Sequence, residues 1–254
     1  KIGVTQGMNL ILHSSLSSLG YVVNGANDVI DAFLEIIGTA GTLLMPSHSG
    51  DKTDPADWKN PPVPKKWVRK IRKHMRPFDP QTTPIRNRGV IPDAFLLYDG
   101  VYRSDHPIAS LVAKGKMAKR FTEKHPLHQS EGINSPIGSL YKHDGYVLSL
   151  GVDLSSNTSL HLAEYLADVP YLRNSGVKVL IKRKKNVFVK LKKYPTSSLG
   201  FINIEKDLLK HKLIKIHKIN GTTIRFMKLK PAIDFIVAQL AKNPHYLVKK
   251  IKHK

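Results

Sequence analysis

Cysteine is absent from the 254 residues. That excludes a disulfide framework, a thiolate metal site and a cysteine nucleophile, and it suits a cytoplasmic location. Long apolar runs are missing as well. No stretch can span a bilayer and no signal-peptide pattern is present, so no membrane partner is expected. The chain begins at Lys1, as expected for a processed or truncated start. There is no Gly-x-Ser-x-Gly elbow, no P-loop and no Gly-x-Gly-x-x-Gly, which sets aside the chemistries those motifs carry. His125 and His128 stand close around Pro126 with no third ligand nearby, so no metal is expected.

Acidic residues are scarce: 19 Asp and Glu against 41 Lys and Arg, a net charge of +22. Such a balance first suggests an anionic partner. Its distribution matters more than its total. Residues 1–64 and 126–170 together carry −7, whereas 65–125 and 171–254 carry +29. The motifs that bear chemistry fall mostly in the acidic segments, and most lysines read as a solvated surface. The basic segments lack interleaved exposed aromatics and match no nucleic-acid motif, which disfavours nucleic acid as a partner.

The length fits one large domain spanning 1–254, within which residues 170–228 form a basic, hairpin-rich candidate subdomain. The pattern is α/β: a mixed central sheet with flanking helices and antiparallel hairpins in the C-terminal part. Residues 8–13 read as a strand, residues 29–37 keep helical apolar spacing, and residues 42–45 read as the next strand. That βαβ unit predicts a parallel pair, with His13-Ser14-Ser15-Leu16 and Pro46-Ser47-His48 leaving along one rim. Residues 66–74 read as a short basic helix. Residues 177–182 and 187–191 predict one hairpin, and residues 214–219 and 223–228 predict another around Asn220-Gly221. Helices are expected over 204–213 and 231–242, and the basic tail from His245 is expected to fray.

The central stretch is Asn157-Thr158-Ser159-Leu160-His161-Leu162-Ala163-Glu164, which follows an apolar strand at residues 146–152. Asn157 supplies an N-cap, so a helix should start at about Thr158 and place His161 and Glu164 on one face. An acid/base pair at the carboxyl end of an α/β strand makes a typical site. An amphipathic surface helix has the same spacing. Asp51, Asp54, Asp57 and Trp58, in a proline-stiffened loop, can form a wall for ammonium groups, or simply cap a surface loop. Arg103 and His106 can meet phosphates, or a hydrogen-bonded histidine can sit buried there. Gln129-Ser130-Glu131-Gly132-Ile133-Asn134 approaches the pyrophosphate signature of Gcn5-type acetyltransferases but lacks the final small residue and a preceding strand, and reads as chance.

His13-Ser14-Ser15-Leu16, Asp54-Pro55-x-x-Trp58 with Pro61-Pro62-Val63-Pro64-x-x-Trp67, Arg103-Ser104-x-His106-Pro107, Ser135-Pro136-x-Gly138-x-Leu140-Tyr141 and the His161 stretch occur in that order. Together they resemble the aminoglycoside 3-N-acetyltransferase family, which does not have the Gcn5-type fold, from about residue 7 to 240. The resemblance implies transfer of an acetyl group from acetyl-CoA to the 3-amino group of a 2-deoxystreptamine aminoglycoside, with antibiotic resistance as the outcome. It implies His161 as general base assisted by Glu164. It implies a cofactor side lined by His13, Ser14, Ser15, Leu16, Arg103, Ser104, His106 and Ser110, and a substrate side at the aspartate loop. Backbone N–H groups near Ser14-Ser15 or Thr158 are candidates for the oxyanion. A homodimer is compatible with the sequence. Lys65-Lys66 and Lys190-Leu191-Lys192-Lys193 depart from the family's more acidic pattern, which leaves a different amine as an alternative acceptor. A non-catalytic polyanion-binding protein is the reading from another class.

Overall fold

The computed structural model describes residues 2–182, 184–195 and 197–248; the end of the basic tail lies outside the described residues. Among the described residues are nine strands and eight α-helices: β1 (Asn9–Ser14), α1 (Ala26–Ile37), β2 (Thr42–Pro46), α2 (Lys65–His74), α3 (Val90–Phe95), β3 (Tyr102–Arg103), β4 (Leu111–Gly115), α4 (Ala118–Thr122), α5 (Pro136–Lys142), β5 (Tyr146–Leu150), α6 (His161–Leu166), β6 (Lys178–Lys182), β7 (Asn186–Lys190), α7 (Glu205–Lys210), β8 (Lys215–Ile219), β9 (Thr222–Lys228) and α8 (Leu229–Lys242). Seven strands form one mixed sheet in the order β3-β4-β2-β1-β5-β9-β8. β1 pairs in parallel with both β2 and β5, while the flanking pairs are antiparallel.

The three central strands are nearly continuous in apolar residues because helices cover both faces. Side chains alternate across the pleat. Ile11, Leu44 and Val147 face α4, α5, α6 and α8, whereas Leu10, Leu12, Leu43, Met45 and Leu148 face α1 and α3. The second hairpin, β8–β9, is built into this sheet through β5. Only the first, β6–β7, forms a separate two-stranded sheet. It is tied to the aspartate loop by a bridge between Thr53 and Val179 and by the Asp54 N–H donating to the Lys178 carbonyl at 3.0 Å.

Two helical expectations shift in detail. The helix expected over 204–213 is shorter: α7 follows directly on a 3-10 segment, Leu199–Ile204, and ends at Lys210, after which Lys212 at φ 57° turns the chain. The turn that begins at Thr158 is 3-10 through Leu160, and α6 proper opens on His161. No helix among the described residues is long and apolar enough to cross a membrane.

Candidate active site

The carboxyl ends of β1 and β5, both parallel to β2, open on one rim. Beyond β1 the Ser15 N–H continues the ladder, donating to the Leu150 carbonyl at 2.9 Å. Gly151, at φ 69°, lets the Ser15–Ser18 loop lie against the end of β5; a Cβ there would overlap the Ser18 side chain. The loop walls a cleft of about 600 Å³, lined by His13, Ser14, Ser15 and Leu16 on one side and Asn87, Arg88, Gly89 and Val90 on the other. A second cavity of about 200 Å³ holds His48, Arg88, Glu131, Thr158, His161 and Tyr194. Arg88 and Ser156 line both.

Asn157 caps the turn before α6, its side-chain oxygen accepting from the Ser159 N–H at 3.1 Å. One turn on, His161 and Glu164 meet as i and i+3 neighbours. The His161 Nδ1 lies 2.5 Å from Glu164 Oε2. The Tyr171 hydroxyl donates to Glu164 Oε1 at 2.9 Å, and Phe201 packs on the imidazole with ring centroids 4.7 Å apart. His161 is 6 % exposed and Glu164 1 %, which excludes the surface-helix reading. A buried carboxylate with both oxygens occupied fixes the ring, leaving Nε2 without a hydrogen-bond partner among the described residues. Such a nitrogen can take a proton.

The surrounding groups are tuned by burial. Glu131 is driven upward from the usual carboxylate range, mainly by desolvation, against the influence of His161 and the Ser130 hydroxyl that donates to it. His48 is pushed well below the normal imidazole range by burial and then by Arg88, whose Nη2 lies 2.5 Å from His48 Nδ1. His13 falls to about 3 for the same two reasons. Both imidazoles are therefore neutral at pH 7.

Several residues expected at the site belong to the scaffold. Arg103 is spent on the fold: its guanidinium donates to the Ser47 carbonyl, the Thr83 carbonyl and the Ser49 and Ser110 hydroxyls, and lies 4.9 Å from the Phe78 ring centre. Ser104 is fully buried, bonded to His125 Nδ1 and the Leu111 N–H. His106 Nδ1 accepts from the Ile108 and Ala109 N–H groups, and Ser110 donates to the Ser47 carbonyl. None of these four lines the cleft that holds His13, Ser14, Ser15 and Leu16. Their polar atoms are engaged by backbone and side-chain partners.

The aspartate loop also makes contacts within the fold. Asp54 is 2 % exposed, takes Arg72 through both oxygens at 2.8 and 2.9 Å and caps the Ala56 N–H at 3.1 Å. Asp51 faces Arg86 at 3.6 Å, Asp57 is exposed, and Trp58 donates to Thr53 Oγ1. None of the four lines either cavity. Sequence reasoning missed Arg88, Glu131 and Tyr194, and placed His48 on the rim without giving it a role. The Asn87-Arg88-Gly89 turn carried a local signal, since Asn87 and Gly89 both adopt positive φ. Glu131 sits in the hexapeptide set aside as chance. Among the described residues no group of three or more His, Asp or Glu is placed to hold a metal ion.

A family model described as aminoglycoside 3-N-acetyltransferase matches residues 11–241. The chain is 36% identical over 250 residues to the SPbeta prophage-derived aminoglycoside N(3')-acetyltransferase-like protein YokD of Bacillus subtilis (strain 168), covering 98% of this chain and 92% of that one. The crystal structure of YokD superposes with a TM-score of 0.87 over 95% of each chain. The aminoglycoside N(3)-acetyltransferase IX of Micromonospora chalcea is 35% identical over 171 residues, 66% of this chain but only 59% of that relative. A structure of AAC-IIIb in a binary complex with CoASH, 29% identical, superposes with a TM-score of 0.79 over 95% of this chain and 92% of that one.

Proposed function

Because this chain belongs to the aminoglycoside 3-N-acetyltransferase family, we propose that it acetylates the 3-amino group of a 2-deoxystreptamine aminoglycoside by direct attack, with His161 as general base. It is an acetyltransferase, and acetyl-CoA is its co-substrate. Transfer of this kind in the cytoplasm confers resistance to the antibiotic. The observation that carries the mechanism is the buried His161–Glu164 pair, with His161 lining a small cavity that shares Arg88 and Ser156 with the longer cleft.

The extended pantetheine arm fits the longer cleft, with Ser14, Ser15 and Leu16 as one wall. The acceptor amine enters the smaller cavity. An ammonium group is not nucleophilic, so Nε2 of His161 removes its proton while Glu164 holds the ring by Nδ1. The amine then attacks the thioester carbon, the C–S bond breaks, the imidazolium returns the proton to the departing thiolate, and the acetylated nitrogen releases its remaining extra proton to water. No covalent enzyme intermediate is needed, since holding the two reactants in register contributes up to about 7–11 kcal/mol.

Free-thiol release from acetyl-CoA across an aminoglycoside panel tests the reading, and with no cysteine in the chain every thiol counted comes from the cofactor. His161→Ala should lower kcat on the order of 10²–10⁴-fold and leave CoA binding nearly intact. Thiol release within a few-fold of the parent would assign the base to another group.

A further inference from the structure

We propose that Arg88 receives the negative charge that develops on the thioester carbonyl oxygen, a role assigned to no residue by the acid/base pair. The inference rests on the acetyl-transfer reading. Among the described residues Arg88 is the one Lys or Arg lining either cavity, and with Ser156 it is shared by both. That junction is where the end of the cofactor arm meets the acceptor amine, so the carbonyl must lie there.

The chain is bent to present this residue. Asn87 at φ 56° and Gly89 at φ 80° flank it, two left-handed conformations within three residues. The guanidinium makes no contact ion pair: among the described residues no carboxylate lies within ion-pair distance, and Glu131 in the same cavity acts on it only from farther away. Its one described hydrogen bond runs from Nη2 to the neutral His48 Nδ1 at 2.5 Å, and Nε is buried with no partner. The contrast with other arginines is sharp. Arg72, Arg173 and Arg225 are bonded to carboxylates, and the half-buried Arg103 is satisfied by five oxygen acceptors. A largely desolvated cation is costly without a partner, and here burial holds its pKa below the usual arginine range. A group in that condition is prepared for an anion that appears only during reaction.

The electron count is ordinary acyl transfer. The amine nitrogen forms a bond to the carbonyl carbon, and the carbonyl π pair moves to oxygen, where the free N–H groups of Arg88 stabilise it. The pair then returns, the C–S bond breaks, and the thiolate leaves to be protonated through His161. Arg88 donates hydrogen bonds throughout and transfers no proton. Its position also places a positive charge beside the incoming amine, which favours the neutral, nucleophilic form.

The test is difference infrared spectroscopy of carbonyl-labelled acetyl-CoA bound to the full chain without acceptor, alongside kinetics and CoASH calorimetry on Arg88→Met and Arg88→Lys. The carbonyl band should move to lower frequency on binding the parent, return toward the free value in Arg88→Met, and lie between them in Arg88→Lys. Arg88→Met should lower kcat on the order of 10²–10³-fold with CoASH affinity and the amine KM changed less than about twofold. A parent that binds acetyl-CoA without a shifted band overturns the proposal even if the methionine variant does not fold. So does an Arg88→Met protein that keeps the shift. Loss of CoASH affinity would instead make Arg88 a phosphate ligand, and a rise confined to the amine KM would make it an acceptor contact; either result overturns the assignment. A parent that fails to bind acetyl-CoA removes the acetyl-transfer reading itself.

Discussion

Replacing Glu164 with glutamine separates the charge of the acid/base pair from its geometry. The carboxylate is 1 % exposed and makes two contacts, Oε2 to His161 Nδ1 at 2.5 Å and Oε1 from the Tyr171 hydroxyl at 2.9 Å. A glutamine of the same shape can still accept from the imidazole N–H through its oxygen, while its amino group turns to the Tyr171 oxygen. Orientation survives and the negative charge does not. When His161 has taken the amine's proton, the carboxylate stabilises the cation by about 4 kcal/mol, taking a charge separation of about 4 Å at an effective dielectric of about 20. The neutral bond that replaces it returns about 1 kcal/mol. The net loss of about 3 kcal/mol corresponds to roughly 10²-fold in kcat. The assay is thiol release under saturating acetyl-CoA and acceptor, with CoASH affinity and the melting temperature measured on the same preparation. Glu164→Gln turning over within fivefold of the parent would refute the electrostatic role. A fall in kcat matched by a fall in CoASH affinity or melting temperature would make Glu164 part of the scaffold.

Asp54→Asn should destabilise the fold by about 1.5–2 kcal/mol, trimmed because Arg72 is half-exposed, and lower the melting temperature by roughly 3–8 °C with the amine KM unchanged; a selective rise in that KM at constant melting temperature would return Asp54 to the substrate side. Stability should fall on acidification below about pH 6.5, because burial lowers His13 to about 3 and His106 to about 4, so the unfolded chain binds more protons in that window; at about 1.4 kcal/mol per pH unit for each histidine the loss reaches about 4 kcal/mol by pH 5, and a urea midpoint that stays level between pH 7.5 and 5 would contradict it. Ser15→Trp should raise the KM for acetyl-CoA more than that for the amine, and equal effects on the two would remove Ser15 from the cofactor wall.

What was legible in the sequence is what short-range chemistry dictates. The apolar runs of β1, β2 and β5 announce strands covered on both faces, the Asn157 cap and the i, i+3 spacing place His161 against Glu164, and Asn220-Gly221 marks the β8–β9 turn with positive φ at both residues. What was not legible is how polar residues are shared between site and scaffold. Arg103, Ser104, His106 and Ser110 are residue types that suit a phosphate, and equally types that suit a buried network; only packing shows that β3 and β4 bring them onto Ser47, Ser49, His125 and Thr83. Asp54 carried the same ambiguity between capping and ammonium binding. The spacing of Asp54-Pro55-Ala56 favoured the cap, and Arg72 from α2 completed it. Glu131 and Arg88 reach His161 from distant segments, which no local pattern encodes.

The uneven charge acquires a location in the fold. α2 carries Lys65, Lys66, Arg69, Lys70, Arg72 and Lys73 with no buried residue, and the separate β6–β7 sheet adds Lys178, Lys182 and Lys190. These two basic elements meet at Asp54, which takes the Arg72 guanidinium and lies 4.0 Å from the Lys178 ammonium. Among the described residues no lysine lines either cavity, where the ionised cation is Arg88 and the lone carboxylate of the smaller chamber, Glu131, is biased toward its neutral form by burial. Surface cations in water are screened over about 8 Å at physiological ionic strength, whereas buried groups are screened far less. The net charge of +22 therefore governs encounter and solubility. Chemistry at His161 answers to the few enclosed groups around it: Glu164 behind the ring, Glu131 and Tyr194 in the same wall, and Arg88 at the junction with the cofactor cleft.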